Sequence, residues 1–405
     1  MNGLSPTCLL GVVAVLAGCG GGGEAPAFLV RDSAGVRIVE SFRPVWEDGS
    51  GWWAGQEPTL RLGVVDGEAA LQFDGVTGLA RLGDGTLVVA DGGSQEIRYF
   101  DSAGNPTAIS GGPGEGPGEF TGLSGLGAVS GGSVWAYDFS LRRITWLSGA
   151  GEVEGLVSLG SQPPVLNSVG PLSDGTFLLK QLWGATQVAD ATEAGLSRDP
   201  VAFVLFDALG ALIDTLGVFP GREIYLFEEN GRGVMSTPPF ARNSVGALWG
   251  EGVVVGTQDS FELVKHAPGG EATRVVRIPN WDLTLGPGEL EGYIQARLGE
   301  VPPGRRPGLR QELEAMPTPD KKPAYGGILA DEAGNLWVGE WTIYPQIPHR
   351  WTVLDLSGRW LGEMEMPGRF FPFAIGEDWV LGVETDDLDV EYVVLYPLLK
   401  DAADG

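Results

Sequence analysis

One phrase recurs along this chain: a short apolar stretch, a Gly or Asp turn, a β-branched or aromatic run, then a second run closed by another turn. The clearest copy spans residues 76–82, turns at Asp84-Gly85, continues through Leu87-Val88-Val89-Ala90-Asp91, returns through Ile97-Arg98-Tyr99-Phe100-Asp101 and turns again at Ala103-Gly104. Apolar runs of this length bounded by turn residues are strand signals, so each round reads as a four-stranded antiparallel sheet. Five further rounds keep the grammar with other residues. Their second strands fall at 133–138, 176–179, 253–255, 336–338 and 379–381. Sheets recurring every 40 to 50 residues or so are arranged radially, because a single sheet cannot bury both of its faces. The expectation is an all-β chain, a six-bladed β-propeller.

The sixth round runs out before its fourth strand. An unfinished sheet leaves an open edge, and closed β architectures remove such edges by completing the ring. The N-terminal part can supply the missing strand: Thr59-Leu60-Arg61-Leu62-Gly63 parallels Thr107-Ala108-Ile109-Ser110-Gly111, each followed by a Gly-Glu pair and then a Phe. Upstream, Asp32-Ser33-Ala34-Gly35 duplicates Asp101-Ser102-Ala103-Gly104, which predicts an extra hairpin over 28–39 lying against the same sixth blade. Two stretches break the period, 184–200 and 220–242. Both are rich in Gly, Pro and polar residues and read as surface loops. Between rounds four and five, Leu290, Tyr293, Ile294 and Leu298 follow helical spacing after Pro287, and Leu309, Leu313 and Met316 do so before Pro317. A short helical insertion over 286–317 is expected.

Gly111-Gly112-Pro113-Gly114-Glu115-Gly116-Pro117-Gly118-Glu119-Phe120 resembles the connector between blades of NHL-type repeat propellers, and the stretch from Val88 to Asp101 resembles the body of that repeat. The whole layout is also similar to bacterial secreted six-bladed propellers, many of them lipid-anchored. The resemblance implies a fold and a choice of roles, since NHL-type propellers mostly bind partners while some related propellers are metal-dependent hydrolases or lyases.

At the start of the chain, residues 8–17 are an apolar core of signal-peptide length, too short for a membrane span. Leu16-Ala17-Gly18-Cys19 fits a lipobox, with Cys19 as the acylated residue. This divides the chain into a lipoprotein signal peptide at 1–18, a flexible tether at 19–27 and the propeller at 28–400. Resemblance to lipoproteins adds that Gly20, and not Asp, follows the anchor, so no signal retains the protein at the inner membrane; an extracytoplasmic, outer-membrane location is expected, with the lipid as the membrane contact. Once the leader is removed, Cys19 is the one cysteine left, so packing and not an intrachain disulfide must hold the fold.

The formal net charge is −27, with acids spread along every round. Nucleic acid binding needs a concentrated basic face and is excluded as a reading. Cations, cationic ligands and basic proteins fit the field better. Two histidines, His266 and His349, fall in different rounds, and no zinc motif, phosphate loop or Gly-x-Ser-x-Gly elbow is present, so no catalytic residue is assigned. Tryptophans within strands (Trp135, Trp146, Trp249, Trp337, Trp379) suit packing between blades. Trp52, Trp53, Trp183 and Trp341 sit in connectors, where a ring can stack on a flat ligand such as a sugar.

Aligned on their turns, the rounds place Asp91, Asp138, Gln181, Thr257 and Glu340 at the end of the second strand, with Glu384 one place out of register in the sixth. These residues form the candidate ligand site at the channel mouth. Asp91, Asp138 and Glu340 are its candidate metal ligands, and Ca2+ is the cation such oxygen donors suit. The expected function is a monomeric binding or scaffolding module for an envelope protein, a small molecule or a carbohydrate. The alternative is a metal-dependent hydrolase of the lactonase type.

Overall fold

In the computed structural model the described residues are 26–47, 50–163, 166–182, 195–229, 232–343 and 349–400. The expected signal peptide, Cys19 and nearly all of the expected tether lie outside them, as does Trp183. The chain is mostly β. Sheet one consists of Val76–Arg81, Leu87–Asp91, Glu96–Phe100 and Pro106–Gly111 in that spatial order, and sheet two of Leu123–Ala128, Val134–Asp138, Arg143–Leu147 and Val153–Ser158. Sheets three (Leu166–Pro171, Phe177–Gln181, Pro200–Phe206, Leu212–Pro220), four (Val245–Trp249, Gly252–Gly256, Glu262–His266, Ala272–Arg277) and five (Ile328–Ala330, Leu336–Gly339, Arg350–Leu354, Trp360–Glu365) repeat this meander. The sixth adds Phe370–Ile375, Trp379–Thr385 and Glu391–Lys400.

The hairpin turns explain the regularity. At Asp101 the carboxylate accepts the N–H groups of Ala103 (2.9 Å) and Asn105 (2.8 Å), and Gly104 takes φ +86°. Asp207 and Asp355 build the same turn in sheets three and five. A short acceptor at the first position and a glycine able to adopt positive φ close the hairpin at low cost.

The first strands of successive sheets lie against one another, and the first strand of sheet six returns to that of sheet one, so the contacts close a cycle. Gly78 permits one of these approaches: a Cβ there would fall 2.7 Å from the backbone nitrogen of Leu126 on the next sheet. Apolar clusters fill each junction. Val88 and Leu126 share a cluster between sheets one and two, as do Tyr137 and Leu179, Leu178 and Val255, Trp249 and Leu336, and Trp337 and Val380 at the following junctions. Val89 and Leu381 belong to the cluster joining sheet six back to sheet one. The strand tryptophans serve these junctions, where large rings bury the most area. The result is a propeller-like ring.

Both ends of the chain meet in sheet six. Leu60–Leu62 pairs antiparallel with Glu391–Lys400 (Leu62 opposite Val393, Leu60 opposite Leu395), and Trp52–Ala54 pairs with the far end of the same strand. The hairpin Phe28–Ser33 and Val36–Ser41 forms at the duplicated turn but does not lie on sheet six. Val36–Ser41 adds in parallel to Ala272–Arg277, making sheet four six-stranded. The reason is occupancy: the outer edge of Glu391–Lys400 is already taken by two short strands, whereas the edge of sheet four is open. There Val39 is fully buried and Glu40 pairs with Arg277 at 3.4 Å. Between the two attachments the chain crosses sheet five, where the amides of Val45 and Trp46 bond to the carbonyls of Trp360 and Leu361.

Helices Glu289–Gly299 and Arg306–Ala315 lie between sheets four and five in the chain, with Tyr293, Ile294, Leu298 and Leu313 buried. The stretches read as loops are partly ordered into a further sheet, Gly195–Ser197, Ile224–Glu229 and Arg232–Ser236. Its Tyr225 and Phe227 stack at 5.8 Å and pack toward the helical cluster, which gives these strands an apolar partner that their Gly- and Pro-rich flanks concealed.

A candidate ligand cleft on the connector face

In a four-stranded antiparallel sheet, the turn after the second strand emerges on the same side as the connector leaving the fourth. That side carries both helices, the three-stranded sheet and all the aligned candidate residues. Their roles differ. Asp91 is fully buried; one oxygen accepts the Ser94 N–H (2.9 Å), and the other accepts the Asp74 N–H (3.2 Å) and lies 3.3 Å from the buried Arg98. Asp138, also fully buried, accepts from Leu141 (2.7 Å), Thr121 (2.7 Å) and Gly122 (3.1 Å). Each aspartate thus ties its own turn to the incoming connector.

Gln181 accepts from the Ala202 amide, and the Thr257 carbonyl accepts from Arg198. Glu340 accepts the amides of His349 (3.2 Å) and Arg350 (3.1 Å), while Glu384 pairs with Arg61 and accepts the Tyr396 hydroxyl. Among the described residues, no group of three or more His, Cys, Asp and Glu side chains is close enough to hold a metal ion. The structure therefore leaves Asp91 and Asp138 in separate turns with their own donors, and brings Glu340 alone among the three carboxylates to a cleft.

Two arginines unnoticed in the sequence complete the clamps. Arg98 donates to the carbonyls of Ala70 and Gln72, and Arg143 to those of Glu115 and Glu119. Gln72 and Glu119 each precede the connector phenylalanine, Phe73 or Phe120, so both arginines grip the same point of the Gly-Glu…Phe motif. The arginines occupy different strand positions, which hid their equivalence from a residue-by-residue alignment.

The cleft lies where the helices overhang sheets four and five. It measures about 780 Å3, with Trp281, Trp341 and Trp360 in its walls and Lys322, Glu289 and Glu340 among its polar groups. Trp281 stands edge-on to Trp360 at 5.7 Å. Lys322 pairs with Glu289 at 3.0 Å. The Gly286 amide above all, helped by Lys322 and opposed by partial burial, holds the Glu289 carboxyl below its usual range. Trp341 packs against Phe240 at 5.2 Å with the rings tilted by 37°, and this pair also borders a second lobe of about 490 Å3. The second lobe is lined by Arg222, Arg297, Asn243, Gln258 and Tyr293.

Of the other connector tryptophans, Trp52 is enclosed by Trp46 and Trp337 under the Lys400 ammonium, and Trp53 is exposed. His266 meets the Gly270 carbonyl at 2.9 Å and the Phe219 ring, while His349 lies 3.5 Å from Glu365 on the surface. No described helix is long and apolar enough to cross a membrane.

No family model matches the chain, and no curated protein matches it either. Among solved structures, it is similar to a Bacteroides fragilis protein named for its expected export, with 13% identity over 90% of this chain and 100% of that one and a TM-score of 0.50. A member of the DUF4221 family from Bacteroides vulgatus aligns at 11% identity over 86% and 98% of the two chains, with a TM-score of 0.50. Virginiamycin B lyase from Staphylococcus aureus aligns more loosely, at 11% identity over 83% and 98% and a TM-score of 0.42. At such identities the likeness speaks to fold alone.

Proposed function

We propose that this protein is a lipid-anchored, extracytoplasmic six-bladed β-propeller of NHL-like build that binds a small molecule on its connector face. The cycle of first strands and the Leu60–Leu62 closure support the count of six blades. The lipobox at Cys19 supports the anchor. The observation that carries the binding reading is the aromatic cleft under the helical insertion. Its volume, about 780 Å3, falls in the range of small-molecule sites, and its composition, apolar rings with a few placed polar groups, is theirs as well. Trp341 would stack on the ligand, with Glu340 and Lys322 orienting its polar substituents.

The test is a thermal-shift screen of the detergent-solubilised full-length protein against mono- and oligosaccharides and small aromatic acids. A hit whose shift disappears in Trp341→Ala places binding here. A hit unaffected by Trp341→Ala, with equal affinity by calorimetry, moves the site elsewhere.

A further inference from the structure

We propose that the seam between the N-terminal hairpin and sheet five is a membrane-facing surface, on which the anchored propeller rests with Leu29, Val30, Val45 and Leu356 at the headgroup level and Arg37 beside the lipid phosphates. The surface presupposes the anchor at Cys19 proposed above and gives the anchored molecule an orientation. Four contacts make the seam one surface. The Arg359 guanidinium lies 5.3 Å over the Phe28 ring, Arg274 donates to the Leu356 carbonyl at 2.6 Å, the Trp360 amide to the Ser41 hydroxyl at 3.1 Å, and the Val45 amide to the Trp360 carbonyl at 3.0 Å. Leu29, Val30, Val45 and Leu356 are 43%, 41%, 45% and 64% exposed. Single exposed apolar side chains are ordinary, whereas several on one surface mark a contact with something apolar. Phe28–Ser33 is also the free outer strand of its sheet, and Leu29 and Val30 point to its opposite faces. An occupant must therefore take in the edge of the strand and not one face alone, as the fluid boundary between headgroups and acyl chains does.

The tether selects the bilayer as that occupant. Phe28 follows Cys19 by nine residues, a reach of about 30 Å at full extension and about 16 Å as a flexible coil. A domain of this length is about 50 Å across, so the lipid holds the hairpin side toward the membrane. Tethering raises the local concentration of one surface at the other, so a weak contact is enough. Charge fits as well. Arg37 stands opposite Arg274 on the neighbouring parallel strand, and Arg274 opposite Lys265 on the next, so three cations follow one another across the sheet. Asp32 stands opposite Arg37 on the outer strand, and neither forms an ion pair among the described residues. Asp355, the acid beside Arg274, is gripped by Arg359. Like charges set opposite one another in a sheet repel, and a lipid phosphate beside them offsets that repulsion.

The test reads the depth of single fluorophores. With the leader removed and Cys19 carrying lipid, the wild type should take up no thiol-reactive label, so an introduced cysteine is the one site labelled. Val30→Cys and Leu356→Cys place a nitrobenzoxadiazole group on the seam, while Leu209→Cys and Leu388→Cys place it on exposed turns of sheets three and six. Each lipidated variant is reconstituted into phosphatidylethanolamine–phosphatidylglycerol vesicles with and without a doxyl-labelled lipid. The seam labels should be quenched about twofold and the turn labels hardly at all. Adding Arg37→Glu should lessen the quenching on the seam; an unchanged value would overturn the phosphate contact. Labelling of the wild type, or a chain that does not float with the vesicles, would overturn the anchor and this orientation with it. Equal quenching at all four positions, or at none, in a chain that does float would overturn the orientation and leave the anchor intact.

Discussion

Asp138 makes three backbone hydrogen bonds from a position with no solvent exposure, and Asp91 makes two more beside a buried arginine. Stranded N–H groups are expensive, so Asp138→Ala should cost about 2–3 kcal/mol in denaturant unfolding while leaving ligand affinity unchanged. A loss below about 0.5 kcal/mol would mean that water replaces the carboxylate and that the clamp is unimportant. The sequence made these positions legible because the strand-turn pattern aligns them. What it could not supply was their orientation: an acid at the end of a strand can face a shared channel or curl back on its own turn, and the choice depends on where the preceding connector passes. Glu340 shows the same ambiguity resolved only in part, since it caps two amides and still borders the cleft.

At the scale of the elements, the aspartates of the hairpin turns predict sensitivity to acid. Backbone or side-chain donors within the turns hold the carboxyls of Asp84 (Thr86 amide), Asp101 (Asn105 side chain), Asp174 (Thr176 side chain) and Asp386 (Val390 amide) below their ordinary value of 3.8. A folded value below the unfolded one favours folding above the unfolded pKa, and the contribution disappears as pH falls through the folded value. Stability should therefore be steady from pH 8 to 5 and drop below about pH 4. An Asp101→Asn, Asp386→Asn variant should lose less on acidification; an unchanged acid slope would refute the role of the turns. The inner strands predict a steric effect. Gly78→Ala should destabilise by about 1–3 kcal/mol, since the new methyl group meets Leu126, and a neutral result in thermal unfolding would mean that the junction can spread. Elements whose apolar spacing is strong, the strands of sheets one and two and both helices, were readable. The three-stranded sheet was not, because its stability comes from Tyr225 and Phe227 meeting a helical cluster more than 60 residues further along the chain.

For the whole molecule, the ring depends on joining its two ends. Removing residues up to Gly63 should lower the melting temperature severely and broaden the transition, whereas removing only 20–26 should change it little; equal melting of the two truncations would deny the closure. Cys19→Ser should move the protein from the membrane to the soluble fraction, and identical fractionation with the wild type would rule out the anchor. The repeat made the ring legible, as it did the need for a closing strand. The landing place of the first hairpin was not, because its turn resembles those of every sheet and several sheets end in a free outer strand. This topology also sets an order in time. Leu62 pairs with Val393 and Trp53 with Leu399, so these strands, made early, acquire their partner only when the last described strand has been made. Contacts at such separations form late and slowly. Until then Trp52 and Leu62 have no strand to pair with, and a chain that ends short of residue 391 leaves both apolar side chains exposed.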